Sequence, residues 1–252
     1  MVPAAPLLGL QKSDCDFYHR MDIPGVGTVG GVWDLRAGVA AYLGGVDFRG
    51  KRVLEIGPAS GFLTFWMESQ GADVTCLEPD LDQFWDLVPA YPRGTGQSQV
   101  TSEFRRHIER VRNAFWFAHE HFRSRAKVLI GSAYSLDDSQ GPFDITVLGS
   151  VLLHTRLPTE IVHRTCARTR ETMIVCERVF ADLGDQPTLQ LEQRAGSDNL
   201  DTWWRFSPEL FRRLLALYGF PQQSFHTHCQ PYWAGGQWND IDMFTLTARR
   251  TA

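Results

Sequence analysis

The chain alternates short apolar runs with amphipathic stretches, and the two periods predict its elements. Arg52–Ile56, Asp73–Leu77, Lys127–Ile130, Phe143–Leu148 and Thr172–Cys176 are compact apolar runs of the kind that form buried strands. The stretches between them carry apolar residues at helical spacing. Phe62–Gln70 puts Phe62, Phe65 and Trp66 on one face and stops at Gly71. Phe104–Phe122 reads as a long helix, and Pro158–Arg170 as a helix with proline at an early position. Ser207-Pro208-Glu209 opens a helix to Tyr218 that Gly219 closes, with Ser207 as its N-cap. Further strands are expected near Ser224–His228 and Asp240–Ala248.

Other stretches read as irregular. Residues 1–14 look like a loose leader, and the glycine-rich 22–31 like a loop. Trp33, Val39, Tyr42 and Leu43 suggest a helix over 33–45 that ends at Gly44-Gly45. Residues 81–104, with Pro89, Pro92, Gly94 and Gly96, read as an insertion or lid, and 181–202 as irregular chain. Strands alternating with helices predict an α/β, doubly wound sheet, and Arg52–Leu77 supplies a right-handed βαβ unit.

Composition narrows the class. The 252 residues are 43% hydrophobic and 21% charged, with a net charge of −4, as expected of a globular chain and not of a disordered one. There is no global positive field for nucleic acid. No apolar run is long enough to span a bilayer, and the N-terminus lacks the basic flank of a signal peptide. Cys15, Cys76, Cys166, Cys176 and Cys229 are scattered, which is the pattern of reduced thiols in a cytoplasmic protein.

Candidate chemistry concentrates at VLEIGPASGF. Here a strand ends in Glu55 and Ile56, then Gly57-Pro58-Ala59-Ser60-Gly61 forms a tight turn into a helix. Gly57 permits the sharp turn and a close ligand approach, and Gly61 permits close helix–strand packing. The helix N-terminus adds free N–H groups. The dinucleotide fingerprint would need glycines at Ala59 and Phe62, which disfavours a nicotinamide-dependent oxidoreductase. A carboxylate at Glu55 repels a pyrophosphate and welcomes a cation. S-adenosyl-L-methionine carries an ammonium and a sulfonium, and Glu78, at the next strand end, is placed for a ribose diol.

These residues resemble the class I S-adenosylmethionine-dependent methyltransferases. VLEIGPASG is similar to that superfamily's first motif, with Ala59 in place of the middle glycine. CLEPD resembles its ribose-binding acid. GSAYSL, with Ser132 and Ala133, falls where the family contacts adenine, and FDITVLGSVLLHT, with Gly149, falls beside the transferred methyl. The resemblance implies a Rossmann-like, mostly parallel seven-stranded sheet over residues 46–252 and an N-terminal helical cap over 1–45. A narrower resemblance, spread over roughly residues 17–228, is to the group related to the tRNA wobble-uridine carboxymethyltransferase. That group uses an N-terminal lysine against the carboxylate of carboxy-S-adenosylmethionine. This chain begins after such a region and has Leu153 where the group has tyrosine. Plain S-adenosyl-L-methionine and a small-molecule acceptor are therefore expected, aromatic or heteroaromatic and of secondary metabolism. A tRNA-modifying (carboxy)methyltransferase is the alternative.

Methyl transfer needs alignment, exclusion of water and removal of a proton. His154, after the fourth strand, and His19 are the candidate bases; a hydrogen-bonded structural role is the alternative for each. Tyr18 could orient the acceptor. Arg36 is a candidate for the methionine carboxylate and Trp33 for walling off the methyl, with a buried Trp beside a surface ion pair as the plainer reading. Trp203, Trp204, Tyr232, Trp233 and Trp238 could line a flat aromatic pocket or simply pack. His119 and His121 do not share a helix face, and His226 with His228 lacks a third ligand, so no metal site is expected. The arginines at 105–125 read as a solvated helix face. Oligomeric state stays open, a homodimer among the options.

Overall fold

The computed structural model describes residues 1–81, 86–88, 97–194, 197, 199 and 201–251. Its strands are β1 (Val2–Pro3), β2 (Met21–Ile23), β3 (Gly27–Val29), β4 (Arg52–Ile56), β5 (Asp73–Glu78), β6 (Lys127–Ile130), β7 (Phe143–Gly149), β8 (Thr169–Arg178), β9 (Leu189–Leu191), β10 (Trp204–Phe206), β11 (Gln222–Ala234) and β12 (Gln237–Arg249). Its helices are α1 (Val39–Tyr42), α2 (Phe62–Ser69), α3 (Gln97–Phe122), α4 (Pro158–Arg168) and α5 (Pro208–Leu217).

The main sheet runs β1-β6-β5-β4-β7-β8-β12-β11. Strands β6, β5, β4, β7 and β8 are parallel, and β12 is antiparallel to both neighbours. The strand order reverses at β4, so the crevice between the ends of β4 and β7 is where an open α/β sheet binds ligands. Alternation along each strand loads both faces. Val53, Val74, Ile145, Val147 and Ile174 point to one core, under α2, α3 and the N-terminal segment. Leu54, Leu77, Leu148, Met173 and Val175 point to the other, under α4 and α5.

Three expectations are corrected. The sheet has eight strands and is mixed: the leader is not loose, because Val2 and Pro3 pair antiparallel with β6 and the Ala4 N–H bonds Val128 O at 2.8 Å. The N-terminal segment is not a helical cap. Residues 21–29 form the β2–β3 hairpin, and the expected helix over 33–45 shrinks to the single turn α1, because Gly38 and the Gly44-Gly45 pair bracket only five residues. Its side chains Met21, Leu35, Val39 and Tyr42 join the same core as the sheet. The 97–104 stretch, read as part of an insertion, is the start of α3; Pro89, Pro92, Gly94 and Gly96 lie outside the described residues.

The local signals elsewhere are met. Ser207 caps α5, its Oγ accepting the Leu210 N–H at 3.4 Å and the Thr188 N–H at 2.8 Å. Pro158 opens α4. The strands β11 and β12 are longer than expected, 13 residues each. Only Met243–Arg249 of β12 pairs with β8, so the Gln237–Asp242 half and its β11 partners overhang the sheet. Gly235 and Gly236, both at positive φ, make the two-residue turn at the tip. This arm bends over the N-terminal segment: the Trp233 N–H bonds Val32 O at 2.7 Å and the Asp34 N–H bonds Pro231 O at 3.0 Å.

Phe244 sits at 0% exposure between Phe211 and Phe225, with ring centroids 6.2 and 6.0 Å away. Phe244→Ala is expected to cost about 3–5 kcal/mol in a urea titration, through lost burial plus the cavity left behind.

Candidate functional site

A continuous cleft runs along the carboxyl ends of β4, β5, β6 and β7. One part is lined by Tyr18, Trp33, Tyr42, Glu55, Gly57, Ala59, Glu78, Gly149, Ser150, His154 and one face of α3. The adjoining part is lined by Ile56, Leu77, Pro79, Ser132, Ala133, Tyr134 and Ile161. Gly57, Val151 and His154 belong to both.

The turn after β4 is built for close approach. Gly57 has φ +69°, and a Cβ there would stand 2.8 Å from Val151 Cγ2. Gly61 has φ +88°, and a Cβ there would strike the rings of Phe65 and Phe115. Pro58 lies at the bend, its carbonyl accepting the Gly61 N–H at 2.8 Å. Ala59 and Ser150 are non-glycine residues at φ +50° and +51°, one on each side of the crevice. Backbone strain of this kind clusters at functional loops.

Two acids stand at the strand ends. Glu55 Oε2 accepts from Thr64 Oγ1 at 2.5 Å, and its pKa is pushed up to about 7 by burial, with the Glu78 charge adding and the Thr64 bond opposing. Burial also pushes Glu78 up to about 7, against the pull of Arg112 and the Ala59 N–H. Arg112 reaches the Pro79 carbonyl, and among the described residues it is the only lysine or arginine lining the cleft. A cleft floored by half-neutral carboxyls with one guanidinium near them suits a ligand that brings its own positive charge.

The candidate side chains separate into two groups. Tyr18, His19, Trp33, Glu55, Gly57, Ala59, Glu78, Ser132, Ala133, Gly149 and His154 all line the cleft. Ser60 does so indirectly. It is fully buried, its Oγ accepts the His19 backbone N–H at 3.0 Å, and it lies 3.4 Å from His19 Nδ1. The Oγ can donate to Nδ1 or accept from it, according to the ring tautomer. Burial lowers the His19 pKa to about 3, so the ring is neutral at pH 7. At His154, Nδ1 donates to the Asp201 carbonyl at 2.5 Å, a tautomer that puts the lone pair of an uncharged ring on Nε2. The Tyr18 oxygen accepts the Trp33 Nε1–H at 3.1 Å, and burial pushes the phenol up to about 12.

Arg36 does not line the cleft, which corrects its expected role. Its guanidinium is held by Asp34, with Nη2–Oδ2 at 2.8 Å, and by Asp22 at 3.0 Å, the ion pair of the plainer reading. The aromatic wall also differs from expectation. Trp203 and Trp204 donate to the carbonyls of Asp86 and Thr155 and brace the loop after β7. Trp233 and Trp238 sit together on the exposed arm, and only Tyr232 reaches the wall, 4.7 Å from Trp33. The wall itself is Tyr18, Trp33 and Tyr42. His119 and His121 bond the carbonyls of Ala126 and Phe117, and His226 bonds Ala41 O. Of the α3 arginines, Arg105 and Arg110 are paired with Glu109 and Asp16.

Sequence reasoning missed four features. Phe104, His107, Ile108, Val111 and Arg112 line the cleft from one face of α3, and their spacing of three and four was a readable signal. Tyr42 closes the cleft behind Gly149, its hydroxyl donating to Ser150 Oγ at 3.1 Å. Asp201 stands at its rim. Glu177, 3% exposed at the end of β8, accepts the Leu152 N–H at 3.3 Å, and burial pushes it up to about 8.

No protein-family model matches the sequence. In fold the chain is similar to the N-terminal domain of EvdMO1 in the presence of S-adenosylhomocysteine and D-fucose. The TM-score is 0.55 at 16% identity, over 95% of this chain and 94% of that one. It is also similar to the 1,6-didemethyltoxoflavin-N1-methyltransferase of Burkholderia thailandensis, with TM-score 0.51 at 16% identity over 86% and 78% of the two chains. A third likeness is to the magnesium protoporphyrin IX methyltransferase of Synechocystis PCC 6803, with TM-score 0.51 at 13% identity over 86% and 82%. At these identities the likeness establishes the Rossmann-like methyltransferase fold.

The buried acids give the empty protein a signed pH dependence. Glu55, Glu78 and Glu177 hold their protons in the folded state up to about 7, 7 and 8, but lose them near 4.5 when unfolded. The folded state thus binds more protons, and stability falls as pH rises through that window. His19 and His228, lowered to about 3 and 4, act in the other direction only below their ordinary 6.5. Denaturation midpoints are therefore expected to fall between pH 6.5 and 8, and Glu177→Gln to flatten that slope.

Proposed function

We propose that this protein is an S-adenosyl-L-methionine-dependent methyltransferase acting on a small-molecule acceptor, aromatic or heteroaromatic in character. The observation that carries the reading is the cleft at the β4/β7 crevice, with a glycine cradle at Gly57 and buried carboxyls at Glu55 and Glu78. Fold likeness to methyltransferases supports it. A pyrophosphate-bearing cofactor fits poorly, since its charge would meet Glu55 beneath the turn.

In this reading the chain's residues divide the work. Glu55 and the turn 57–61 hold the amino-acid end, Glu78 accepts from the ribose hydroxyls, and Ser132, Ala133 and Tyr134 flank the base. The bound cofactor supplies a methyl group on a sulfonium, an electrophile that needs no further activation. Gly149 and Ser150 lie where that methyl would point, and Tyr42 backs them. Trp33 and Tyr18 cover the acceptor side and exclude water. His154, with its lone pair on Nε2, takes the proton from the nucleophile. His19 lines the cleft as a neutral ring and fixes the turn after β4 through its backbone bond to Ser60.

Calorimetric titration tests the cofactor claim. S-adenosylmethionine and S-adenosylhomocysteine are expected to bind in the micromolar range and NAD not to bind. Gly57→Val should weaken binding at least about tenfold by driving a side chain into Val151. His154→Ala should lower kcat about 10²–10⁴-fold, with cofactor affinity nearly unchanged. Binding of NAD alone would sink the proposal.

A further inference from the structure

The acceptor end of the cleft has a definite charge character, set by what faces it and by what is kept away. Its wall is aromatic: Tyr18, Trp33 and Tyr42. Its polar groups are lone pairs and carboxyls. Asp201 is at the rim, its side chain accepting from Thr202 Oγ1 at 3.0 Å. The buried Glu177 carboxyl stands behind the Ser150–Leu152 turn, held by one backbone N–H; the Asp201 charge is felt at the Tyr18 hydroxyl, and that of Glu177 joins it once the carboxyl ionises above about 8. The basic side chains of the region are engaged elsewhere. Arg36 is locked on Asp34 and Asp22, Arg20 lies over the Trp238 ring and beside Asp34, and Arg112 is at the far end against Pro79 and Glu78. No lysine or arginine among the described residues lines the acceptor end.

We propose that this end of the cleft receives a basic nitrogen on an aromatic frame, an amine or basic N-heterocycle, and rejects acceptors that present a carboxylate or phosphate. The inference rests on the methyltransferase reading and names the acceptor class within it. Aromatic faces and carboxyls together attract an ammonium or a protonated ring nitrogen. An anion brought there would face the Asp201 carboxyl and a buried carboxyl behind the wall, with no lysine or arginine among the described residues lining that end to meet it. The same arrangement accounts for the chemistry. The incoming protonated nitrogen gives its proton to His154, the base of the proposed mechanism, and through it to solvent, and so exposes its lone pair. That pair forms the N–C bond to the methyl as the C–S bond breaks, and the C–S electrons stay on sulfur as a neutral thioether. An ammonium and a sulfonium thus become a methylammonium, a thioether and one released proton.

The test uses a matched pair of small probes, benzylamine and benzoate, titrated calorimetrically into the full chain saturated with S-adenosylhomocysteine at about neutral pH. Benzylamine is expected to bind at least about tenfold more tightly than benzoate, and Asp201→Asn to reduce that ratio to about threefold or less. Glu177→Gln, which keeps the bond from Leu152 N, should reduce it in the same direction when the titration is repeated at about pH 8.5, where that carboxyl has ionised, and covers the case of a misfolded Asp201 variant. Equal affinity, preference for benzoate, or no binding of benzylamine overturns the inference while leaving the cofactor site standing. So does a preference that neither variant moves. Failure to bind S-adenosylhomocysteine at the outset overturns the methyltransferase reading and this inference with it.

Discussion

A buried carboxyl group must either find a cation or keep its proton, and three of them, Glu55, Glu78 and Glu177, stand at the ends of β4, β5 and β8. Each is held by a small number of donors from fixed structure: Thr64 on α2, the Ala59 N–H in the turn, the Leu152 N–H in the loop after β7. The parallel strands bring these acids to one edge, and the helices on both faces keep water from them. The fold therefore maintains a poorly solvated strip of carboxyls that hold their protons up to about neutral pH. Most of what surrounds the cleft reads as a consequence of keeping that strip in place.

The two backbone turns flanking the strip carry the associated strain. Ala59 and Ser150 occupy left-handed conformations that cost energy for residues with a Cβ, and Gly57 is pressed against Val151. Hydrogen bonds on each side over-determine both turns. Ser60 ties the first to His19, and the Ser150 N–H ties the second to Cys176 O at 2.7 Å. For the methyl transfer proposed here, which aligns three atoms in a row, such fixed geometry achieves the alignment before any ligand arrives.

Much of this was legible from sequence, for identifiable reasons. The βαβ unit, the turn at 57–61 and the acids Glu55 and Glu78 are local patterns, and a parallel strand must deliver its last residues to the same edge as its neighbours. Long-range pairing was not legible. Val2 and Pro3 look like a leader until β6 offers them an edge, and the 22–31 glycines look like loop although hairpin pairing uses the same residues. Arg36 illustrates a different limit: sequence shows an arginine near the site, but Asp34 and Asp22 decide where its charge goes. Glu177 was hidden because one acid at the end of an apolar run resembles any strand terminus. Its significance lies in what the fold leaves out around it.

The overhanging half of the β11–β12 hairpin has a consequence for how such a chain can change. The paired half, Met243–Arg249, is woven into the sheet and its side chains are almost wholly buried. The free half ends in a glycine turn in solvent, yet Pro231, Tyr232 and Trp233 touch the Val32–Asp34 segment that walls the cleft. Substitutions or a lengthened tip on that arm disturb little of the core, because little of the core is there. They nevertheless move an aromatic wall. The molecule thus separates the part that must be inherited unchanged from a part that can be redrafted cheaply, so the wall of the cleft can be reshaped along the arm without first losing the ability to fold.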